Sequence, residues 1–240
     1  MRSRSLAAVL VAIAFGTFAG SASALRVSWM KSIASPGTPA KYDKVGVIKV
    51  GSPKAKNVLV LEPGTSAAAA YFVPLAQWVT KAVPGWQVWA VQRRESLLED
   101  QSVLTLAKER KASTTEVFNY YLGFTTNKSV THHLPNRYIG LALGYAKQWG
   151  MNIAVNDVRT VVEAARKLGG KVVLGGHSLG GSVVTAYATW DFGGKAGADQ
   201  LAGLVYIDGA SGPAESAAQA QTALNTLDAP KQTPWLSFGG

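Results

Sequence analysis

The sequence predicts an α/β fold: a three-layer α/β/α sandwich with a mostly parallel central sheet. Two observations support this prediction. Short apolar runs, typical of strands buried on both faces, alternate with segments whose apolar residues recur at helical spacing. Chains with this alternation form mostly parallel sheets with helices on both faces. We expect about five strands in the sheet.

The predicted strands are short and apolar, and turn residues flank them. They cover residues 45–50, 58–61, 86–91, 171–174 and 201–207. Helical spacing predicts helices at 75–82, 155–168, 179–190 and 214–227. Residues of about 96–149 break the alternation, so we expect an insertion or cap with helices of its own. A second cap could start within 209–240.

The composition fits one large globular domain. The chain has 240 residues, of which 48% are hydrophobic, too many for a disordered protein. It contains no cysteine, which excludes disulfides, thiolate metal sites and cysteine nucleophiles. With only 3 histidines a metal cage is not expected, and no motif calls for a metal or an organic cofactor.

The net charge of +10 raises the question of a nucleic-acid partner. The basic residues are scattered along the chain and form no long cluster, so we expect no nucleic-acid binding.

The first 24 residues have the form of a secretory signal. Arg2 and Arg4 precede an apolar stretch from Leu6 to Ala19, and Ala22-Ser23-Ala24 resembles a cleavage site. The stretch is shorter than the roughly 20 residues that span a bilayer, so cleavage is favoured over a membrane anchor. We therefore expect a secreted or periplasmic protein of residues 25–240 with no stable membrane span.

One motif carries chemistry: Gly176-His177-Ser178-Leu179-Gly180, followed by Gly181. A serine between two such glycines, directly after a strand and before a helix, forms a nucleophile elbow. The neighbours two before and two after the serine must be very small, and Gly181 lets the helix pack closely. The simpler alternative is a glycine-rich turn that binds a phosphate or nothing.

Acyl transfer also needs two N–H donors for the developing oxyanion. Leu179, directly after the serine, would supply one of them. The loop Pro63-Gly64-Thr65 ends an earlier strand and would supply the other from the Thr65 N–H, unless it is an ordinary turn.

The chain resembles the α/β-hydrolase fold family in residues 58–66, 86–94 and 171–187. The sequence Gly-His-Ser-Leu-Gly-Gly is common in the lipases and carboxylesterases of that family. The resemblance covers about 40–95 and 150–210 and leaves 96–149 unmatched. It implies an esterase- or lipase-type serine hydrolase with Ser178 as nucleophile and Thr65 and Leu179 as oxyanion donors. Where Glu62-Pro63 stands, the family often has histidine, which alters the hydrogen bonds of this loop.

The acid and the base fit the family pattern less well. Family order places the acid and then a histidine after the nucleophile. Asp208, after the next strand, is a candidate acid, although it could simply close a turn. No histidine follows Ser178. We expect His177 to be packed or to support the reacting residues indirectly, and His132 and His133 to be exposed loop residues unless one reaches the site.

A chain that stops after the sixth family strand, before the family's histidine, would explain this pattern. The resemblance therefore favours an incomplete ester hydrolase. A non-catalytic ligand-binding protein and an acyltransferase that uses the same serine remain alternatives. We expect a small-molecule or lipid ester as substrate. For these 240 residues we expect negligible esterase turnover, because losing the base of a triad costs about 10⁴–10⁶ in rate.

Overall fold

A computed structural model describes residues 25–123, 126–127, 141–212 and 215–227. The predicted signal at 1–24, both His132 and His133, and residues 228–240 lie outside the described residues.

A six-stranded sheet forms the centre of the molecule, in the order β1-β2-β4-β3-β5-β6. Its strands are β1 (Leu25–Lys31), β2 (Lys44–Val50), β3 (Asn57–Glu62), β4 (Trp86–Gln92), β5 (Val172–His177) and β6 (Gly203–Ile207). The four strands β4, β3, β5 and β6 run parallel, and β1 and β2 extend the sheet in antiparallel fashion. The prediction of a mostly parallel sheet is confirmed.

The α-helices of the described residues are α1 (Val73–Ala82), α2 (Ser102–Lys108), α3 (Thr114–Leu122), α4 (Met151–Arg166), α5 (Leu179–Thr189) and α6 (Ala217–Leu227). The four helices predicted from periodicity correspond to α1, α4, α5 and α6. The insertion carries α2 and α3, so it has helices of its own, as expected. No helix among the described residues has both the length and the apolarity to cross a bilayer.

The predicted count of about five strands is wrong, because β1 was not foreseen. Its apolar residues Leu25, Val27 and Trp29 are exposed, while Arg26 and Ser28 face inward and are half-buried. This edge strand pairs along its whole length with β2. The pairing with β2 holds this strand in the sheet, rather than the burial of an apolar face. The strand therefore lacks the run of buried apolar residues from which the other strands were predicted.

The two faces of the sheet carry separate cores. On one face Val58, Val60 and Leu174 pack against valines of α4 and α5. On the other face, Leu61 and Val88 pack against Phe72, which directly precedes α1, and Ala76, which lies within it. Helices therefore cover both faces, and the three-layer prediction is confirmed.

A buried ion pair ties the segment after β4 to α4. Arg94 is 1% exposed, and its Nε and Nη2 donate to the two carboxylate oxygens of Asp157 at 2.8 and 2.6 Å. The same guanidinium donates to Asp43 and to the carbonyl oxygen of Ile33. Arg94 therefore fixes the carboxyl end of β4 against α4 and the β1–β2 connection.

Replacing Asp157 by Asn should destabilise the fold by about 3–5 kcal/mol, because it leaves the buried Arg94 without its bidentate partner. Urea unfolding followed by tryptophan fluorescence measures this loss.

The matched control is Glu163→Gln on the same helix. Glu163 accepts from Arg159 at 2.7 Å, but both side chains are exposed. Its loss should cost below about 1 kcal/mol. Equal destabilisation by the two variants would contradict the role assigned to the Arg94–Asp157 pair.

Candidate active site

Ser178 lies on the sharp turn between β5 and α5. Its backbone adopts φ 52° and ψ −123°, in the left-handed region that non-glycine residues rarely occupy. The residue is exposed, and it immediately precedes the N-terminus of α5. A strained, exposed serine at this position is what the elbow motif predicts, and the partial positive charge of the helix end favours an oxyanion there.

Backbone contacts around this turn leave no room for side chains at two motif glycines. A Cβ on Gly180 would lie 2.8 Å from the carbonyl carbon of Glu62 and closer still to its oxygen. A Cβ on Gly176 would lie 2.6 Å from the amide nitrogen of Gly181. The predicted structural role of Gly176 and Gly180 follows from these contacts.

Gly181 packs against the turn that follows β6. A Cβ at Gly181 would lie 2.8 Å from the carbonyl carbon of Gly209. The helix α5 therefore approaches this turn as closely as its backbone permits.

The loop after β3 packs directly against the serine. A Cβ on Gly64 would lie 2.9 Å from the Cβ of Ser178, so the Pro63-Gly64 turn lies beside the elbow. In the described part of the chain, the N–H groups of Thr65 and Leu179 have no protein hydrogen-bond partner. Two unpaired donors close to one serine side chain are what an oxyanion hole requires.

Thr65 and Leu179 also line one cavity of about 290 Å³. Its other lining residues come from the loop after β3 and from the segment after β4: Ser66, Ala67, Gln92, Arg93, Glu95, Ser96 and Glu99. The lining residues include charged groups of both signs, although most of the surface of the cavity is apolar. It offers space for a small ligand next to both predicted donors.

Glu62 is a buried acid directly beneath this loop. It is 1% exposed, and neither carboxylate oxygen has a hydrogen-bond partner among the described residues. Arg93 approaches it at 3.7 Å, too far for a hydrogen bond. Burial raises the pKa of Glu62 to about 8 although the Arg93 guanidinium pulls it down. The carboxyl group is therefore neutral at pH 7.

Asp208 directly follows β6 and lies beside the elbow. It is exposed, with φ 44°, and a Cβ on the next residue, Gly209, would lie 2.7 Å from the Cα of Ser178. The structure thus brings the candidate acid to the turn that carries Ser178.

His177 points to the opposite face of the sheet from Gly176, because successive side chains alternate along β5. Its ring stacks on Tyr71, with centroids 5.1 Å apart, and its buried Nδ1 has no hydrogen-bond partner in the described part of the chain. The expectation that His177 is packed is confirmed. The other two histidines, His132 and His133, lie outside the described residues.

Sequence reasoning missed Arg93 and the burial of Glu62. Both residues follow or end predicted strands at the same edge of a parallel sheet, and this placement was the available signal. A glutamate that ends an otherwise apolar run, Val58 to Leu61, is the kind of residue to suspect of burial.

Replacing Gly180 by Ala should destabilise the protein by about 1–3 kcal/mol, because the added methyl group would force β3 and α5 apart. Gly203→Ala is the control, since a Cβ there meets no atom within 4 Å. That variant should stay within about 0.5 kcal/mol of the parent in urea unfolding. An unchanged free energy of unfolding in Gly180→Ala would contradict this prediction, because it would show that the backbone around the elbow shifts to accept the methyl group.

The stability of the fold should fall as the pH rises toward 8. An unfolded chain releases the Glu62 proton near its ordinary pKa of 4.5, whereas the folded protein holds it to about 8. The stabilisation is therefore complete below pH 4.5 and is lost as the pH rises to about 8. The slope from this group approaches ~1.4 kcal/mol per pH unit.

Glu62→Gln mimics the neutral carboxyl group and should remove this contribution. We expect the variant to lose less free energy of unfolding than the parent between pH 5 and pH 8, measured by urea titration at each pH. Parallel stability curves for parent and variant would contradict the burial of a neutral Glu62.

Comparison with known proteins agrees with this architecture. Residues 123–239 match the family model described as "Alpha/beta hydrolase family", just under half of the chain, and the match includes Ser178 and Asp208. It extends into the insertion at 96–149, for which the sequence showed no resemblance, and leaves out 40–95. The comparison with curated proteins found no match.

Three solved structures illustrate the structural similarity. A candidate lipase from Sulfolobus solfataricus is 15% identical, with TM-score 0.45, over 87% of this chain and 59% of its own. The thioesterase domain from the curacin biosynthetic pathway is 16% identical, with TM-score 0.44, over 87% and 56%. A soluble variant of monoglyceride lipase from Saccharomyces cerevisiae is 11% identical, with TM-score 0.40, over 76% and 44%.

This chain therefore spans about half of the length of these proteins, and likenesses this distant carry no argument about its activity. The family match and the six-stranded sheet confirm the resemblance found in the sequence, and the chain has the α/β-hydrolase fold.

Proposed function

We propose that this chain carries the nucleophile of an exported serine hydrolase that cleaves carboxylic esters, of esterase or lipase type. The observation that supports this most is the strained and exposed Ser178 between β5 and α5, with the Gly64–Thr65 loop packed against it. A glycine-rich turn that only joins a strand to a helix needs neither the strain nor the second loop.

The proposed chemistry begins when the Ser178 Oγ attacks the ester carbonyl carbon. The carbonyl oxygen becomes negatively charged, and the N–H groups of Thr65 and Leu179 stabilise it together with the N-terminus of α5. A histidine takes the serine proton and passes it to the leaving alcohol. Water then releases the acyl group. Asp208 is proposed as the acid that orients this histidine.

The proposed substrate is a small-molecule or lipid ester that reaches Ser178 beside this cavity. The volume of about 290 Å³ suits a short acyl or alcohol group rather than a long chain held entirely inside. Export through residues 1–24 remains part of the proposal.

A second candidate function is ligand binding without turnover. The one histidine among the described residues, His177, stacks on Tyr71 on the opposite face from Gly176 and does not serve as the base. A protein with this fold and without a base would hold an ester in the cavity and leave it intact.

Labelling with a fluorophosphonate probe separates the two functions, because the probe reacts with an activated serine. We expect the 240-residue chain to be labelled, detected as a mass increase of the intact protein. Labelling needs the attack of an activated Ser178 but no release of an acyl group, so it is detected even if turnover is negligible.

Ser178→Ala should abolish the labelling, and Ser182→Ala, one turn further along α5, is the matched control that should keep it. Peptide mass mapping must place the adduct on Ser178. Absence of labelling, with retained binding of an ester ligand, would favour the non-catalytic function.

A further inference from the structure

Arg93 follows β4 and reaches back to the loop that carries the Thr65 donor. Its Nη1 donates to the carbonyl oxygen of Pro63 at 3.3 Å, and its Nη2 donates to that of Gly64 at 2.5 Å. The same Nη1 lies 3.7 Å from Oε1 of Glu62. One guanidinium thus contacts three consecutive residues of this loop, and its rigid fork of donors fixes their orientation.

The bond to Gly64 determines where the next N–H points. The described residues contain no cis peptide bond, and in a trans peptide unit the C=O and the following N–H point in opposite directions. The Gly64 oxygen also accepts from the Ala67 N–H at 3.3 Å. With that oxygen held by Arg93 and Ala67, the Thr65 N–H must point away from the guanidinium.

The loop needs such external bonds because it is strained. Ser66, next to Thr65, has φ 56°, a conformation that costs a non-glycine residue energy and persists only when its surroundings impose it. The side chain of Arg93 is only 18% exposed, so its bonds to the loop are shielded from water. Without them, the Gly64 carbonyl of this strained turn keeps, in the described part of the chain, only the long hydrogen bond from the Ala67 N–H.

The charge of Arg93 has a second effect on the same peptide unit. A guanidinium bound to a carbonyl oxygen polarises the amide, and hydrogen bonds in such chains strengthen one another. Glu62 is neutral at pH 7 and so leaves the positive charge of Arg93 directed at the Gly64 carbonyl. The Thr65 N–H is thereby a stronger donor than one in an isolated turn.

We propose that Arg93 is a positioning residue, which holds the carbonyl groups of Pro63 and Gly64 and so aims the Thr65 N–H at the oxyanion formed when Ser178 is acylated. This proposal rests on the nucleophile role proposed for Ser178. Arg93 itself touches neither the serine nor the reacting carbonyl in this mechanism; it acts through the loop.

The test compares fluorophosphonate labelling of the parent chain with that of Arg93→Gln. The inactivation rate kinact reports transition-state stabilisation, and the binding constant KI reports probe affinity. We expect kinact to fall about 10- to 100-fold, somewhat less than the 10²–10³ loss when an oxyanion donor is removed outright. The change in KI should be much smaller, although Arg93 also lines the cavity. A purely structural defect would lower the fraction of folded protein, but it would not lower kinact of the folded molecules selectively over KI.

Arg166→Gln is the matched control. Arg166 is exposed in the last turn of α4, so its loss changes the net charge equally without touching the loop. We expect its kinact to equal that of the parent.

Two further measurements keep the test decisive if Arg93→Gln folds poorly. Arg93→Lys retains the charge and one donor and should give an intermediate kinact. Methylguanidine, which supplies the missing fork from solution, should raise the kinact of Arg93→Ala and leave Ser178→Ala unlabelled.

The outcomes separate the two proposals. A labelled parent with unchanged kinact in a folded Arg93→Gln, or in Arg93→Lys, overturns the role of Arg93 and leaves that of Ser178 intact. Equal losses in Arg93→Gln and Arg166→Gln assign the effect to net charge and also overturn it. A parent that is not labelled overturns both proposals.

Discussion

The rest of the site depends on the absence of side chains where β3, β5 and α5 meet. Gly180 lies against the carbonyl of Glu62, and Gly176 lies against the backbone of α5. This contact forces the chain to turn within one residue, which places Ser178 in its left-handed conformation above the sheet edge. It also brings the N-terminus of α5 within reach of the loop after β3. The strain at Ser178 is sustained by the hydrophobic cores on the two faces of the sheet.

A second constraint is the burial of charge at the same edge of the sheet. Arg94 is fully paired with Asp157 and Asp43, and this pairing fixes the segment that follows β4. Its neighbour Arg93 bonds the loop after β3 through two carbonyl oxygens. The two consecutive arginines thus bind different partners. Together they join the segment after β4 to α4, to the β1–β2 connection and to the loop after β3. Buried ionic groups add little net stability but fix geometry, which is the property an oxyanion site requires.

The sequence was sufficient for the parts of the fold that depend on local pattern. Buried strands and amphipathic helices have clear periodicity, and the elbow motif specifies its own turn, so Ser178, Gly176 and Gly180 were predictable. The edge strand β1 was not, since its apolar side chains are the exposed ones. The contacts of Glu62 and Arg93 join residues about thirty positions apart, and only the parallel pairing of β3 with β4 brings them together. The burial of Glu62 and the shift of its pKa depend on such pairings, so no pattern in the neighbouring sequence predicts them.

The order of the strands also limits where the histidine of the proposed mechanism can lie. The elbow strand β5 runs between β3 and β6. The loop after β3 occupies one side with its unpaired N–H group, and the face beneath holds His177 stacked on Tyr71. An imidazole must approach the Ser178 Oγ from the side that the oxyanion does not use. That side is the β6 side, where Asp208 stands exposed next to the elbow. In the proposed mechanism Asp208 orients an imidazole only if the ring lies between Asp208 and Ser178, so the proposal places the base between these two residues.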